Sequence, residues 1–144
     1  MPCCDTTIEQ LGDLPALYGC PETELRRLAT LGQTADWLPG STLKVEGRHP
    51  DGFQLVLTGR ILTTCNGRIV GHAGPGTAVG DVELLSGSSA PDSVTTVTQT
   101  RTLVLGPNEF TSGLDGCPAF RGFILRSLAR RVAARAREER NAHA

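Results

Sequence analysis

No stretch of this sequence approaches the ~20 consecutive apolar residues that a membrane-spanning helix needs. The first ten residues, Met1 to Gln10, have neither a basic region nor an apolar core, so no secretory signal is read there and the protein is expected in the cytoplasm. Clustered metal ligands are also missing. The five cysteines, Cys3, Cys4, Cys20, Cys65 and Cys117, form no C-x-x-C, and His49, His72 and His143 do not fall at ligand spacing. An odd cysteine count without a signal fits a reducing compartment. Adjacent Cys3 and Cys4 are read as incidental to the terminus rather than as a redox or metal handle. No Ser-His-Asp or Cys-His constellation is visible, and a cupin-type metalloenzyme would need an H-x-H that is absent. No enzyme is expected, and no metal or other cofactor.

Lysine is nearly absent too. Lys44 stands alone beside 13 arginines, a compositional bias to which no chemistry is attached. Net charge is −1, but it is unevenly spread. Residues 1–117 carry 7 basic against 13 acidic side chains, and residues 118–144 carry 7 arginines against 2 glutamates. A basic tail can serve nucleic acid, but a solvated helix face is the simpler reading.

What is present is a chain of ordinary single-domain length, 39% apolar, with 17 glycines that punctuate its middle. Residues 1–13 show little pattern. Leu25, Leu28 and Leu31 recur at helical spacing, with Glu22 and Glu24 in the first turn and Gly32 at the end, which predicts a short amphipathic helix. Past Trp37 the period shortens. Strands are predicted at Thr42–Val45, Phe53–Leu57, Arg60–Cys65 and Arg68–His72, and Asn66-Gly67 is the strongest hairpin signal. Val94–Thr98 and Arg101–Leu105, rich in Thr and Val, read as a final hairpin. After Pro107 helical spacing returns. From Pro118 the residues Phe120, Ile124, Leu128 and Val132 form one stripe, flanked by arginines.

Short strands at this spacing indicate a sandwich, roll or barrel. The whole chain, 1–144, is expected to be a single domain that is mainly β with flanking α. It would be an antiparallel β-roll of the jelly-roll type over about residues 34–106, preceded by a helical segment over about 8–33 and followed by helices over about 107–140.

The succession Pro39-Gly40, Glu46-Gly47, Leu57-Thr58-Gly59-Arg60, Gly74-Pro75-Gly76 and Gly80-Asp81 followed by Leu84-Leu85 resembles the cyclic-nucleotide-binding domain in order and spacing, over roughly residues 15–137. Ala129-Arg130-Arg131-Val132 is similar to the long helix of the family's bacterial transcription regulators. The resemblance implies a phosphate-binding cassette at Val79–Leu85 and Pro91–Thr95. In it Gly80 lets the backbone approach the ligand, Asp81 stands in place of a glutamate toward the ribose, and Ser93 and Thr95 offer hydroxyls. Asp92 stands where the family has the arginine that pairs the phosphate. At ~5 Å and an effective dielectric of ~20, such like charges repel by roughly 3 kcal/mol. Positions on the long helix that read the purine fall on Arg135 and Ala136, and Arg135 is a candidate to supply positive charge from another direction. Gly80 and Asp81 also have a purely structural reading, as a tight turn and a helix cap, and Leu84 and Leu85 are expected in the core.

The implied function is a stand-alone regulatory or sensor module with weak or absent cAMP binding. The alternative is an interaction domain that has lost its nucleotide. A small anionic nucleotide is the candidate ligand, and a homodimer through the long helix or an unidentified protein partner would carry the output. No helix-turn-helix pair follows residue 137, so no DNA-binding domain is expected.

Overall fold

The computed structural model describes residues 2–142, with side chains from Thr6 onward. Helix α1 (Pro2–Gly12), a 3-10 turn (Pro15–Leu17) and α2 (Glu22–Leu31) lead into the strands β1 (Gln33–Trp37), β2 (Thr42–Lys44), β3 (Phe53–Thr58), β4 (Ile61–Cys65), β5 (Arg68–Ala73) and β6 (Ala78–Val79). The short α3 (Asp81–Ser86) interrupts the roll before β7 (Ser93–Thr96) and β8 (Thr100–Leu105), and α4 (Pro107–Gly116) and α5 (Pro118–Ala142) follow. Two antiparallel four-stranded sheets result, in the orders β1-β8-β3-β6 and β2-β7-β4-β5. Among the described residues no helix is long and apolar enough to cross a membrane.

Strand alternation divides the core in two. Phe53, Leu55 and Leu57 of β3 and Leu103 and Leu105 of β8 pack with the helices, whereas Val56 joins Ile61, Val79 and Val94 between the sheets. The helix-side core is centred on phenylalanine. All four Phe of the chain are in it: Phe53 stacks on Phe110 at 4.9 Å between ring centroids, Phe120 meets both edge-on at 5.6 and 6.0 Å, and Phe123 lies 6.3 Å from Phe120. Edge-to-face and offset pairs at these separations add to the burial of the rings themselves. They fix α4 and α5 to the sheet that carries β3.

Four expectations need correction. Residues 1–13 are not patternless, because Pro2–Gly12 is helical and buries Ile8 and Leu11, three residues apart. The side chains of Cys3 and Cys4 lie outside the described residues, as does His143. The strands after Ala90 are not a hairpin. β7 pairs with β2 and β4 while β8 pairs with β1 and β3, so the chain crosses between sheets at Val97–Gln99. Leu84 packs against the core, but Leu85 on the next position of α3 is 51% exposed. Finally, the long-helix stripe is not a free dimer seam. Phe120 and Ile124 are buried in the chain's own core and Leu128 packs against it, leaving Leu125 and Val132 exposed. The Asn66-Gly67 hairpin is as the sequence indicates, with both residues at positive φ between β4 and β5.

Truncation of Phe120 to alanine should cost roughly 3–5 kcal/mol, since it removes the ring that touches the other three. Leu125→Ala, one turn away on the exposed side, should stay within about 0.5 kcal/mol. Urea denaturation followed by circular dichroism measures both.

Candidate functional site

Gly80 opens the site. It adopts φ +91°, and a Cβ there would stand 2.8 Å from the carbonyl oxygen of Gly52. Both the left-handed backbone and the close approach require glycine. The turn it makes sends Asp81 and Glu83, in the first turn of α3, inward. Both are buried, with side chains only 1% and 3% exposed. Carboxylates near a helix N-terminus gain from the backbone dipole, but burial at this depth still demands cations.

Two cations answer. Arg131, reaching from α5, donates from Nη1 to Asp81 Oδ1 at 2.8 Å and from Nη2 to Oδ2 at 3.2 Å, a two-point contact of the guanidinium fork. The same Nη2 donates to the Ala78 carbonyl at 3.2 Å and to Ser127 Oγ at 2.9 Å. Lys44, at the end of β2, donates to Glu83 Oε1 at 3.1 Å. Its ammonium also stands 2.8 Å from Asp92 Oδ1, a charge contact without the alignment of a hydrogen bond, since that oxygen has no hydrogen-bond partner among the described residues. Lys44 is only 9% exposed. Three carboxylates thus face two cations, and the cluster keeps one net negative charge.

These groups border a cavity of about 220 Å³ inside the roll, lined by Lys44, Asp92, Arg131, Thr63, Thr77 and the apolar Ile61, Ala78, Val79 and Val94. Of the residues implied by resemblance, Asp92 lines this cavity and Asp81 touches it through Arg131, while Gly80 makes the turn into α3. Ser93 and Thr95 are not among the lining residues. Along β7 it is Val94 and Thr96 that are buried, and Ser93 Oγ instead accepts the Glu46 backbone N–H at 2.8 Å. The cavity hydroxyls are those of Thr63 and Thr77. Arg135 is exposed, and Arg131, one helical turn earlier, is the α5 arginine that reaches the site.

Sequence reasoning missed Lys44, Glu83 and Arg131. A usable signal existed for the first two: the chain's single lysine on a strand, and an acid at the third position of α3. Cys20, Cys65 and Cys117 are free. Burial pushes the Cys20 and Cys117 thiols up, and a hydrogen bond with Glu46 does so for Cys65, so all three are held away from the reactive thiolate.

Lys44→Ala should destabilise the fold by about 3 kcal/mol, because it leaves Glu83 and Asp92 without their shared cation. Adding Glu83→Ala should restore roughly half of that loss, since only the more exposed Asp92 then remains. Thermal unfolding of the single and double variants checks the order.

Comparison with known proteins places this geometry. Residues 36–116 match the cyclic nucleotide-binding domain. No curated protein sequence matches the chain. Among solved structures it is similar to the regulatory subunit of a cAMP-independent protein kinase A from Trypanosoma brucei, at 23% identity and TM-score 0.73, over 88% of this chain and 46% of that one. A triple mutant of that subunit, in which a glutamate becomes alanine, a threonine arginine and a valine alanine, is bound to cAMP in its A site. The corresponding subunit from Trypanosoma cruzi, bound to guanosine, is 21% identical at TM-score 0.68, over 78% of this chain and 42% of that one. The catabolite activator protein of Thermus thermophilus is 21% identical at TM-score 0.68, over 90% of this chain and 61% of that one. The chain therefore spans less than two-thirds of each of these proteins. With the family match extending over more than half of its residues, the chain belongs to the cyclic nucleotide-binding domain family.

Proposed function

We propose that this domain is a regulatory module whose phosphate position is occupied by its own ion pairs, so that conventional cAMP binding is weak or absent. The observation that carries the reading is the Lys44 contact to both Glu83 and Asp92. A cyclic phosphate arriving at residue 92 meets a carboxylate, and the nearest buried cation is already shared between two acids. Arg131 is likewise engaged, with its fork on Asp81, the carboxylate to which the family resemblance gives the ribose. The trypanosomal relatives support the same reading. One is named cAMP-independent, and its triple mutant, bound to cAMP, removes a glutamate and adds an arginine. Another is bound to guanosine, which has no phosphate to repel. A neutral nucleoside is therefore the ligand class that this charge arrangement tolerates better.

The second reading, an interaction domain acting on a partner, draws on α5. Beyond Ser127 its side chains are mostly exposed, with Val132 70% exposed among arginines. This part of the helix, rather than the buried Phe120 and Ile124, is the surface open to a second copy or to another protein.

Isothermal titration of the wild type with cAMP and cGMP should show at most weak binding, and guanosine or adenosine should bind more tightly than the corresponding cyclic nucleotide. Asp92→Arg alone should help little, because the new guanidinium would be claimed by Glu83. The pair Glu83→Ala with Asp92→Arg should strengthen cAMP binding by at least ~1.5–3 kcal/mol, about ten- to a hundred-fold. Tight cAMP binding by the wild type would overturn the reading. No gain in a folded double variant would favour the interaction domain.

A further inference from the structure

The roll holds a second cavity, of about 310 Å³, that shares no lining residue with the first. Trp37, Leu43, Pro50, Asp51, Gly52, Gln54, Val104 and Gly106 surround it. Its volume is at the lower end of the range for small-molecule sites. Its polar groups are ordered by a hydrogen-bond chain across three strands. Thr102, fully buried on the central strand β8, lies opposite Ala35 of β1 and Val56 of β3. Trp37 and Gln54, each two positions along, are its diagonal neighbours.

Thr102 Oγ1 accepts the Trp37 indole N–H at 3.0 Å. The same hydroxyl donates its single proton to Gln54 Oε1 at 2.8 Å. In that arrangement Oε1 faces Thr102, and both Nε2 protons are without a partner among the described residues. Asp51, exposed on the same cavity, likewise has no partner there. The cavity therefore offers an aromatic wall whose indole is held in place, an amide donor turned away from Thr102 and a carboxylate acceptor.

We propose that this second cavity binds a planar cyclic amide of the nucleobase type. Its carbonyl would accept from Gln54 Nε2, its ring N–H would donate to Asp51, and its face would lie on the apolar wall of Trp37, Leu43 and Val104. An anion is disfavoured beside Asp51, and a purely apolar ring would leave the Gln54 donors unanswered. The site is independent of the phosphate position and stands whether or not the first cavity takes a nucleoside.

The chain's single Trp gives a single indole N–H resonance, and that proton is the one bonded to Thr102. Titration of ¹⁵N-labelled protein with uracil and hypoxanthine should shift this resonance saturably. 1,3-Dimethyluracil, which keeps the ring and carbonyls but has no N–H, should bind at least about five-fold more weakly, as expected when ~1 kcal/mol of hydrogen bonding is lost. Asp51→Asn, at an exposed position that leaves the fold intact, should weaken uracil several-fold, and Gln54→Leu should abolish the shift. No saturable movement with either base overturns the proposal. So does equal binding of uracil and its dimethyl derivative, or an Asp51→Asn variant that binds uracil as the wild type does. A Lys44→Ala variant separates the two cavities: loss of uracil binding in folded Lys44→Ala protein would assign the shift to the first cavity and overturn the second.

Discussion

Burying Asp81 and Glu83 side by side at the start of α3 is the constraint around which the functional half of this molecule is arranged. Carboxylates that are almost wholly removed from water must be paired and hydrogen-bonded, or the fold loses several kcal/mol. Each pairing draws in a distant segment. Glu83 requires Lys44, 39 residues earlier on β2, and Asp81 requires Arg131, 50 residues later on α5. The positive-φ turn at Gly80 makes this possible by bringing the backbone against Gly52, closer than any side chain would allow. The cassette thus joins the sheet that contains β2, the sheet that contains β6, and the long helix.

The elements that local chemistry dictates were legible in the sequence. A tight hairpin turn needs positive φ at both central positions, and Asn66-Gly67, which tolerates it best, adopts it there. Leu25 and Leu28 make one face of a helix by spacing alone, and both are buried. The misreadings concern partners. Val94–Thr98 and Arg101–Leu105 look like a hairpin because both are strand-forming and close in sequence. Nothing local says that Thr96 will bond across to the Ser41 region while Thr100 pairs with Trp37 in the other sheet. The long-helix stripe was visible, but its periodicity could not tell the chain's own Phe53 and Phe110 from a second copy.

The site itself was legible only in part, for the same reason. The resemblance named Gly80, Asp81 and Asp92, and Asp81 and Asp92 contact the two cations that line the cavity. Their cations could not be named, because which arginine of α5 reaches Asp81 depends on how Phe120 seats against Phe53 and Phe110. A shift of one helical turn separates Arg131 from Arg135. Lys44 has no local motif. Its significance comes from the sheet register that sets it beside Val94, and hence next to Asp92. Ser93 and Thr95 alternate along β7 with the buried Val94 and Thr96, and one position along a strand exchanges the faces of a sheet.

The two ion-pair systems differ in how far their cations reach into water. Lys44 is 9% exposed and Glu83 3%, so opening that contact strands charge in the interior. Asp81 is equally deep, but its partner Arg131 is 41% exposed. The Arg131 guanidinium regains water when this contact opens, but Asp81, 1% exposed, is left charged in the interior, so release carries the cost of a stranded carboxylate. The anchoring of α5 therefore has an apolar part and a polar part. Near Phe120 and Ile124 it is fixed by the aromatic core, and from Ser127 to Arg131 it is held by a polar latch on Asp81. A group that paired with Asp81 would compete directly with that latch, while the Lys44 contacts to Glu83 and Asp92 do not involve α5.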